Sequence, residues 1–479
     1  MCSSELSSSP IDDHEWQWLP QYHVAPPFGL LNDPNGFCYF AGQYWLYFQW
    51  NPADCSHQNK HWGLMTSSDL VQWRQQPFKM APEHWYDKDG CYSGTALMQA
   101  GQLSLFYTGN VRHGEIRESY QCLVTSDDGI HYQHHGPLWR SQLAGFTGHV
   151  RDPKVFVVDG QKRMWLAAQT DTLQGGIALL IEQADGHWQL QGHYHHPINW
   201  ANNQLGYMWE CPDRVVLDQQ TLLLCCIQGI DTGLPDYRNP DLSGYFCVNE
   251  DPSSGAISFT SDYRLLDHGF EFYAPQTTQD PVGEIYIIGW MGLPDSAVQP
   301  TQDQEGWCHQ LTMARHCCWS DNWLWQRPVA ATFDLFRCER SEISIVGHLS
   351  FHCAAAAYIN CLVLTSNGQL VIGNDDAALV IHWDDQGHLS IDRGSLAALG
   401  DDTRRDYHSR QGKIGQLQLF LDNSSFELFI NDGEAVMSGR LFAKQPLYCG
   451  RFEGQADAIT IHALVQPVID RLSKEMWYE

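Results

Sequence analysis

The chain contains the stretch Asn32-Asp33-Pro34-Asn35-Gly36, and two further carboxylate motifs follow it, Arg151-Asp152-Pro153 and Trp209-Glu210-Cys211-Pro212. Ser93 and Tyr273 close similar strand and turn patterns, so that positions 33, 93, 152, 210 and 273 are each about sixty residues apart. This period fits one four-stranded propeller blade with its loops, since strands average about 5–6 residues. Residues one period apart would converge on a common axis. The spacing therefore predicts that Asp33, Asp152 and Glu210 meet in one site.

The region from Tyr22 to Val329 is a succession of short aromatic or β-branched runs broken by turn residues, as in residues 42–48. Long amphipathic helical patterns are missing, which indicates an all-β region. Residues 66–73 and 125–132 resemble each other at a separation of 59 residues, close to the motif period. Dividing the region by this period predicts a five-bladed β-propeller.

The length of 479 residues exceeds what one ordinary core accommodates and predicts two domains. We expect an N-terminal extension (1–21), a propeller catalytic domain (22–330) and a C-terminal β-sandwich (340–479). In the sandwich, Phe426, Leu428 and Ile430 alternate with Glu427, Phe429 and Asn431 at the turn Asn431-Asp432-Gly433. That alternation predicts a half-buried hairpin.

The composition excludes several classes of partner. The chain has 56 acidic against 28 basic residues and no long basic cluster, which argues against binding nucleic acid or an anionic membrane. Residues 1–20 lack the pattern of a secretory signal, and no apolar run reaches the length of a membrane span. The 16 cysteines form no C-x-x-C spacing. We expect reduced thiols in a cytoplasmic protein.

The three motifs suit the cleavage of a glycosidic bond, which usually requires two carboxyl groups. Asp33 lies in a turn rich in Pro and Gly that can aim a side chain rigidly. Glu210 stands between Trp209 and Cys211, so we expect desolvation to favour its protonated form, as a general acid requires. Arg151 is expected to keep Asp152 ionised. Taken singly, Asp33 also fits an exposed turn, Glu210 a buried pair with a structural Arg, and Asp152 a surface ion pair.

Further motifs occur in the same order along the chain. They are His23-Val24-Ala25-Pro26-Pro27, Phe48-Gln49, His61-Trp62-Gly63, Ser68-Asp69-Leu70-Val71-Gln72-Trp73, Tyr92-Ser93-Gly94-Thr95, Phe272-Tyr273-Ala274-Pro275-Gln276, Gly289-Trp290-Met291 and Glu305-Gly306-Trp307. With the three carboxylate motifs, they make the chain resemble glycoside hydrolase family 32, the invertase and sucrose-6-phosphate hydrolase family, particularly its bacterial intracellular members. The resemblance covers nearly the whole chain.

The resemblance implies a retaining β-fructofuranosidase with Asp33 as nucleophile, Glu210 as general acid and base, and Asp152 as transition-state stabiliser helped by Arg151. It assigns further residues to substrate binding: Asn32, Gln49, Trp62, Tyr92, Ser93, Tyr273 and Trp290. Cys211 is expected to tune Glu210 rather than to act as a nucleophile. We expect no metal and no cofactor, and the substrate is expected to be a small sugar.

Three positions depart from the family pattern. Leu30-Leu31 stands where the family usually has Trp-Met, Glu271 replaces an Asp, and Leu64 replaces a His. These departures concern substrate preference more than chemistry.

The sequence does not distinguish sucrose from sucrose 6-phosphate as the substrate. It is also compatible with a homodimer. The alternatives are a hydrolase of short fructans, an inverting furanosidase that acts on arabinose or xylose polymers, and a carbohydrate-binding propeller without turnover.

Overall fold

The computed structural model of the protein describes residues 17–114, 116–141, 143–197, 206–230, 238–294, 299–364, 367–397 and 402–472. The expected N-terminal extension lies outside the described residues up to position 16. Nearly all described elements are strands, which confirms the all-β class. They form a propeller-like arrangement of antiparallel sheets followed by a C-terminal β-sheet domain. No helix among the described residues is long and apolar enough to cross a membrane.

The propeller-like sheets follow one another along the chain. The first contains β1 (Gly29–Phe40), β2 (Gln43–Asn51), β3 (His61–Ser67) and β4 (Trp73–Met80). The second contains β5 (Cys91–Gln99), β6 (Gln102–His113), β7 (Ile116–Ser126) and β8 (Gln133–Arg140). The third contains β9 (Phe146–Val158), β10 (Gln161–Thr170), β11 (Gly175–Glu182) and β12 (Trp188–Tyr194).

Two further sheets continue the series. One contains β13 (Met208–Leu217), β14 (Gln220–Gln228), β15 (Asp241–Glu250), β16 (Ile257–Phe259) and β17 (Arg264–Leu265). The other contains β18 (Tyr273–Gln279), β19 (Ile285–Trp290), β21 (Arg315–Ser320) and β22 (Trp323–Pro328). Between β19 and β21 lie helix α1 (Pro300–Gln304) and β20 (Trp307–Cys308), which pairs in parallel with β1.

The first strands of these sheets contact one another in a closed ring, in the order β1, β5, β9, β13 and β18. Each first strand carries the same β-bulge. Across the bulge, the register advances by three residues on the first strand and by two residues on the second strand of the sheet. The bulges span 31–34, 91–94, 151–154, 210–213 and 273–276. Because a bulge redirects side chains, the sequence period corresponds to a repeated device that aims residues at one place.

The similar stretches 66–73 and 125–132 form equivalent turns. Asp69 accepts hydrogen bonds from the backbone N–H groups two and three residues further on, at 3.0 and 2.8 Å. Asp128 does the same at 2.8 Å for both. The first turn joins β3 to β4 and the second joins β7 to β8, so the predicted repeat is confirmed as a structural repeat.

The C-terminal domain begins after a 3-10 helix (Ala330–Leu335) and contains another (Gly394–Leu396). Its strands are β23 (Phe336–His352), β24 (Ala357–Leu364), β25 (Gly368–Gly373), β26 (Ala378–Trp383), β27 (His388–Asp392), β28 (Arg404–His408), β29 (Gln416–Asp422), β30 (Ser425–Ile430), β31 (Ala435–Arg440) and β32 (Cys449–Leu464). Strand β32 pairs with β25 and, further along, with β24, so the sheet has two halves that share one apolar core. Finally, β33 (Ile469–Asp470) pairs with β4.

The predicted hairpin around β30 is confirmed, but the prediction that it is half-buried is wrong. One face joins the core of the C-terminal domain through Phe426, Leu428 and Ile430. On the other face, Phe429 packs in a cluster that includes Met313 of the propeller-like region. Glu427 accepts hydrogen bonds from Arg315 at 2.9 and 2.7 Å. Both faces are buried because the two domains dock across this strand.

Candidate active site

Asp33 lies in the bulge of β1, and hydrogen-bond donors surround its carboxylate. Asn32 Nδ2 donates to Asp33 Oδ1 at 2.9 Å, and the hydroxyl of Ser93, from β5, donates to Asp33 Oδ2. Burial raises the pKa of Asp33 above its usual value, while Ser93, Asn32 and the Lys60 ammonium oppose that rise. The carboxylate is therefore desolvated but well held.

A chain of amide hydrogen bonds fixes the side chains around Asp33. Asn32 Nδ2 also donates to Gln49 Oε1 at 2.5 Å, and Gln49 Nε2 donates to Ser93 Oγ at 2.8 Å. Three of the predicted substrate-binding residues, from β1, β2 and β5, thus form one network with Asp33.

Asp152 reaches the same place from the bulge of β9, where its φ is +60°. Its Oδ2 accepts a hydrogen bond from the backbone N–H of Cys211 at 3.1 Å. The Cys211 sulfur lies 3.7 Å from Asp33 Oδ2 and 3.7 Å from Asp152 Oδ2. Burial, reinforced by Asp152 and Asp33, raises the pKa of Cys211 well above its usual value. Cys211 is thus a neutral thiol between two carboxylates, rather than a neighbour that acts on Glu210 alone.

Glu210 is held by two donors from other sheets. Its Oε1 accepts hydrogen bonds from Arg151 Nε at 3.1 Å and Arg151 Nη2 at 2.6 Å, and its Oε2 accepts one from the Tyr273 hydroxyl at 2.8 Å. The sequence predicted apolar and weakly polar surroundings, with a buried pair of Glu and Arg as the alternative. The structure differs because Arg151 and Tyr273, one period away on either side, converge on Glu210.

Arg151 contacts Asp152 less closely than expected, since Arg151 Nε is 3.9 Å from Asp152 Oδ2. Burial raises the pKa of Asp152 to about 7, and Arg151 opposes this rise only in part. Arg151 thus favours the ionised form of Asp152, as expected, but its effect does not outweigh burial. The guanidinium directs its hydrogen bonds to Glu210 instead.

The predicted aromatic residues lie on both sides of these carboxylates. Trp62 is fully buried in a core cluster, and its Nε1 donates to the carbonyl oxygen of Tyr92 at 3.2 Å. Trp290 is 2% exposed and its ring packs edge-on against Tyr273, with centroids 6.2 Å apart. Its indole N–H finds no hydrogen-bond partner among the described residues. The structure thus brings all the predicted site residues into one region.

Lys60 was missed by the sequence reasoning. It is 5% exposed, donates to Asn32 Oδ1, and its Nζ lies 3.2 Å from His57 Nδ1. Burial lowers the pKa of Lys60 to about 8, although Asp33 opposes this. The available signal was a lysine directly before the strand that carries Trp62.

The site offers carboxylates rather than a metal centre. Within the part of the chain that the structure describes, no group of three His, Cys, Asp or Glu side chains could hold a metal ion. The described geometry suits acid, base and nucleophilic chemistry by protein groups.

Comparison with known families matches the glycosyl hydrolases family 32 N-terminal domain to residues 23–328 and the family 32 C-terminal domain to residues 349–462. The chain belongs to glycoside hydrolase family 32. This family 32 hydrolase is 39% identical to a sucrose-6-phosphate hydrolase of Klebsiella pneumoniae over 89% of each chain. It is 36% identical to that of Bacillus subtilis (strain 168) over 88% of each chain.

Solved structures are also similar to this family 32 hydrolase. Sucrose-6-phosphate hydrolase from Lactobacillus gasseri aligns with a TM-score of 0.85 and 29% identity over 94% of each chain. A Bombyx mori β-fructofuranosidase variant in complex with sucrose aligns with a TM-score of 0.81 and 25% identity over 95% of each chain.

The departures from the family pattern are three buried aliphatic side chains and one charged contact between the domains. In this family 32 hydrolase, Leu30, Leu31 and Leu64 are buried in the protein interior. Glu271 accepts hydrogen bonds from Arg393 of the C-terminal domain at 2.7 and 2.9 Å. Glu271 therefore serves domain docking.

Proposed function

We propose that the protein is a retaining β-fructofuranosidase that hydrolyses sucrose, sucrose 6-phosphate or both. One observation carries this proposal: Asp33, Asp152 and Glu210, which come from three different sheets, are joined through direct contacts with Cys211 and Arg151. The similarity to sucrose-6-phosphate hydrolases supports the same conclusion. The products are fructose and either glucose or glucose 6-phosphate.

In the first step, an oxygen of Asp33 attacks C2 of the fructosyl unit, and the bond from C2 to the glycosidic oxygen breaks. Glu210 gives its proton to that oxygen, so the glucose part leaves as a neutral alcohol. Arg151 and Tyr273 then hold the resulting Glu210 carboxylate. In the second step, Glu210 takes a proton from water, whose oxygen attacks C2 and releases both fructose and Asp33.

Asp152 is proposed to stabilise the transition state by hydrogen bonding to fructose hydroxyls, with Arg151 beside it. Since the pKa of Asp152 is raised to about 7, a bound hydroxyl can meet either a donor or an acceptor there. The residues proposed to bind substrate are Asn32, Gln49, Trp62, Tyr92, Ser93, Arg151, Tyr273 and Trp290.

We propose a five-bladed propeller at 22–330 as the catalytic domain, with the bulged strands lining its axis, and a β-sandwich at 340–479. The closed ring of first strands supports the blade number. We also assign the enzyme to the cytoplasm and to sucrose breakdown there. The cysteines of the described residues are all free, as expected for a reducing compartment.

The test is the release of fructose from sucrose and from sucrose 6-phosphate by the wild type and by Asp33→Asn. Loss of the nucleophile should lower kcat by about four orders of magnitude or more, since catalytic units fail when one member is removed. A circular dichroism spectrum and unfolding midpoint like those of the wild type serve as the folding control. Wild-type activity in Asp33→Asn would refute the nucleophile. NMR of the first-formed fructose anomer separates retaining from inverting chemistry.

A further inference from the structure

The hairpin of β6 and β7 carries an unusual concentration of positive charge. Arg112 and Arg117 stand directly opposite each other across its two strands. Like charges in this position repel and cost stability. The pair is notable in a chain with 56 acidic and only 28 basic residues. Neither guanidinium lies within 4.0 Å of a carboxylate of the described residues, although the charge of Asp89 acts on Arg112 and that of Glu210 acts on Arg117 from further away.

Arg117 connects this charge to the catalytic acid. Its guanidinium carbon lies 5.5 Å from the centre of the Tyr92 ring, at the predicted substrate site. His149 Nδ1 lies between two guanidinium groups. It is 3.4 Å from Arg117 Nη1 and 2.8 Å from Arg151 Nη1. Arg151 in turn donates to Glu210. A continuous row of cationic and polar groups thus runs from the acid to the hairpin.

His149 is neutral in this row and offers a further donor. Burial, reinforced by the adjacent Arg151 and Arg117, lowers the pKa of His149 to about 4. Because both neighbours at Nδ1 are guanidinium donors, Nδ1 must carry the lone pair and the proton resides on Nε2. The Nε2–H group and the remaining N–H groups of Arg117 are then available to an acceptor.

The following inference rests on the proposed function. In the proposed mechanism, Glu210 protonates the glycosidic oxygen, so the leaving glucose lies on the side of Glu210. The C6 substituent of that glucose is one sugar ring away from the glycosidic oxygen. Guanidinium groups bind phosphate through paired, charge-assisted hydrogen bonds. We propose that Arg117, with Arg112 and His149, forms a subsite for a phosphate monoester on the leaving glucose. The enzyme therefore prefers sucrose 6-phosphate to sucrose.

The test compares kcat/KM for sucrose 6-phosphate and sucrose in the wild type and in Arg117→Gln. Losing hydrogen bonds between charged groups should lower the ratio of the two values by about 10- to 100-fold. Arg74→Gln is the matched control, because it removes the same charge from the exposed end of β4. An unchanged ratio in Arg117→Gln, or an equal fall in Arg74→Gln, overturns the proposal.

The wild type alone provides an independent test, which holds even if Arg117→Gln does not fold. Glucose 6-phosphate should inhibit sucrose hydrolysis at a lower concentration than glucose, and equal inhibition overturns the proposal. Inorganic phosphate is the third probe. If it inhibits as strongly as glucose 6-phosphate, the subsite binds free phosphate and the sugar-phosphate assignment is wrong.

Failure of the proposed function gives a different result. If the wild type releases fructose from neither substrate, the hydrolase itself is refuted. If it releases fructose from both with equal kcat/KM, only the phosphate subsite is refuted.

Discussion

At the scale of the residue, the ionisation of Asp33 decides whether the proposed nucleophile is competent. Burial raises its pKa, and three neighbours counter this effect: the Ser93 hydroxyl, the Asn32 amide and the Lys60 ammonium. Lys60 acts doubly, since it also donates to Asn32 Oδ1 and so orients the amide that faces Asp33. Burying the Lys60 ammonium without a carboxylate of the described residues in direct contact costs stability. Its electrostatic effect on the proposed nucleophile explains why a cation is buried at this position.

We predict that Lys60→Met moves the acidic limb of the kcat/KM profile to higher pH. Without the ammonium, the pKa of Asp33 rises, so the nucleophile loses its charge at a higher pH during acidification. The difference from the wild type should shrink above about pH 8, where Lys60 itself loses its proton.

Lys162→Met provides the control for Lys60→Met, since Lys162 lies near the start of β10, is partly exposed beside Glu182 and carries the same charge. Its profile should match the wild type. An acidic limb that stays in place in Lys60→Met would show that Lys60 has no electrostatic effect on the nucleophile.

The partners of Arg151 show the limit of prediction at this scale. The motifs identified Arg151, Asp152 and Glu210 as site residues, but adjacency in sequence did not show that Arg151 donates its hydrogen bonds to Glu210 of the next sheet. That contact depends on the bulges at 151–154 and 210–213, which bring side chains of neighbouring sheets together. Lys60 and Arg117 escaped prediction because neither lies in a carboxylate motif.

At the scale of the element, the repeated bulge explains why the sequence was informative. A period of about sixty residues was visible because each sheet requires similar strands and turns, and the all-β class followed from the same runs. The bulges themselves were not predictable, because a bulge depends on the register with the neighbouring strand rather than on local propensity. The hairpin at β30 was predicted correctly, but the burial of its second face was not, since that burial depends on the other domain.

We predict that Gly94→Ala disturbs both the bulge of β5 and catalysis. A methyl group at Gly94 would lie 1.9 Å from the carbonyl oxygen of Phe106 and 2.6 Å from the Cα of Tyr107, so β5 must move away from β6. The shift should displace Ser93 from Asp33 and lower kcat. Overpacking of this kind costs about 1–3 kcal/mol of unfolding free energy.

Chemical unfolding and kcat for sucrose measure both effects of Gly94→Ala. Gly415→Ala is the control, because the nearest heavy atom to its added methyl group is 3.7 Å away. Unchanged stability and activity in Gly94→Ala would show that the bulge does not position Ser93.

At the scale of the whole molecule, a buried ionic cluster joins the two domains. His23 Nδ1 lies 2.9 Å from Asp422 Oδ2, and His23 Nε2 lies 3.1 Å from Glu427 Oε1. Both ring nitrogens face carboxylates, which requires the doubly protonated, charged imidazolium. Burial lowers the pKa of His23, but the hydrogen bonds that it donates to Asp422 and Glu427, together with their charges, outweigh this effect, so the pKa is raised overall.

We predict that His23→Gln abolishes part of the pH dependence of stability. Because the folded-state pKa of His23 is raised, its stabilising effect is complete below its unfolded pKa of about 6.5 and disappears as pH rises through the folded value. The variant should lose about 3 kcal/mol at pH 6, since it leaves buried carboxylates less well paired. The loss should diminish at high pH.

Unfolding curves of His23→Gln over a pH series measure this effect. His131→Gln removes an exposed histidine paired with Asp128 and is the control. Parallel pH dependences of His23→Gln and the wild type would contradict a charged His23 at the domain interface.

The most direct test of the whole account is to identify the residue that carries the fructosyl group during turnover. Glu210→Gln with an aryl β-fructofuranoside should accumulate the intermediate, because this leaving group needs no acid while water attack lacks its base. Peptide mass spectrometry of the quenched reaction should find one fructosyl unit on Asp33. A fructosyl unit on any other residue, or turnover without an adduct and with inverted fructose, would contradict the account.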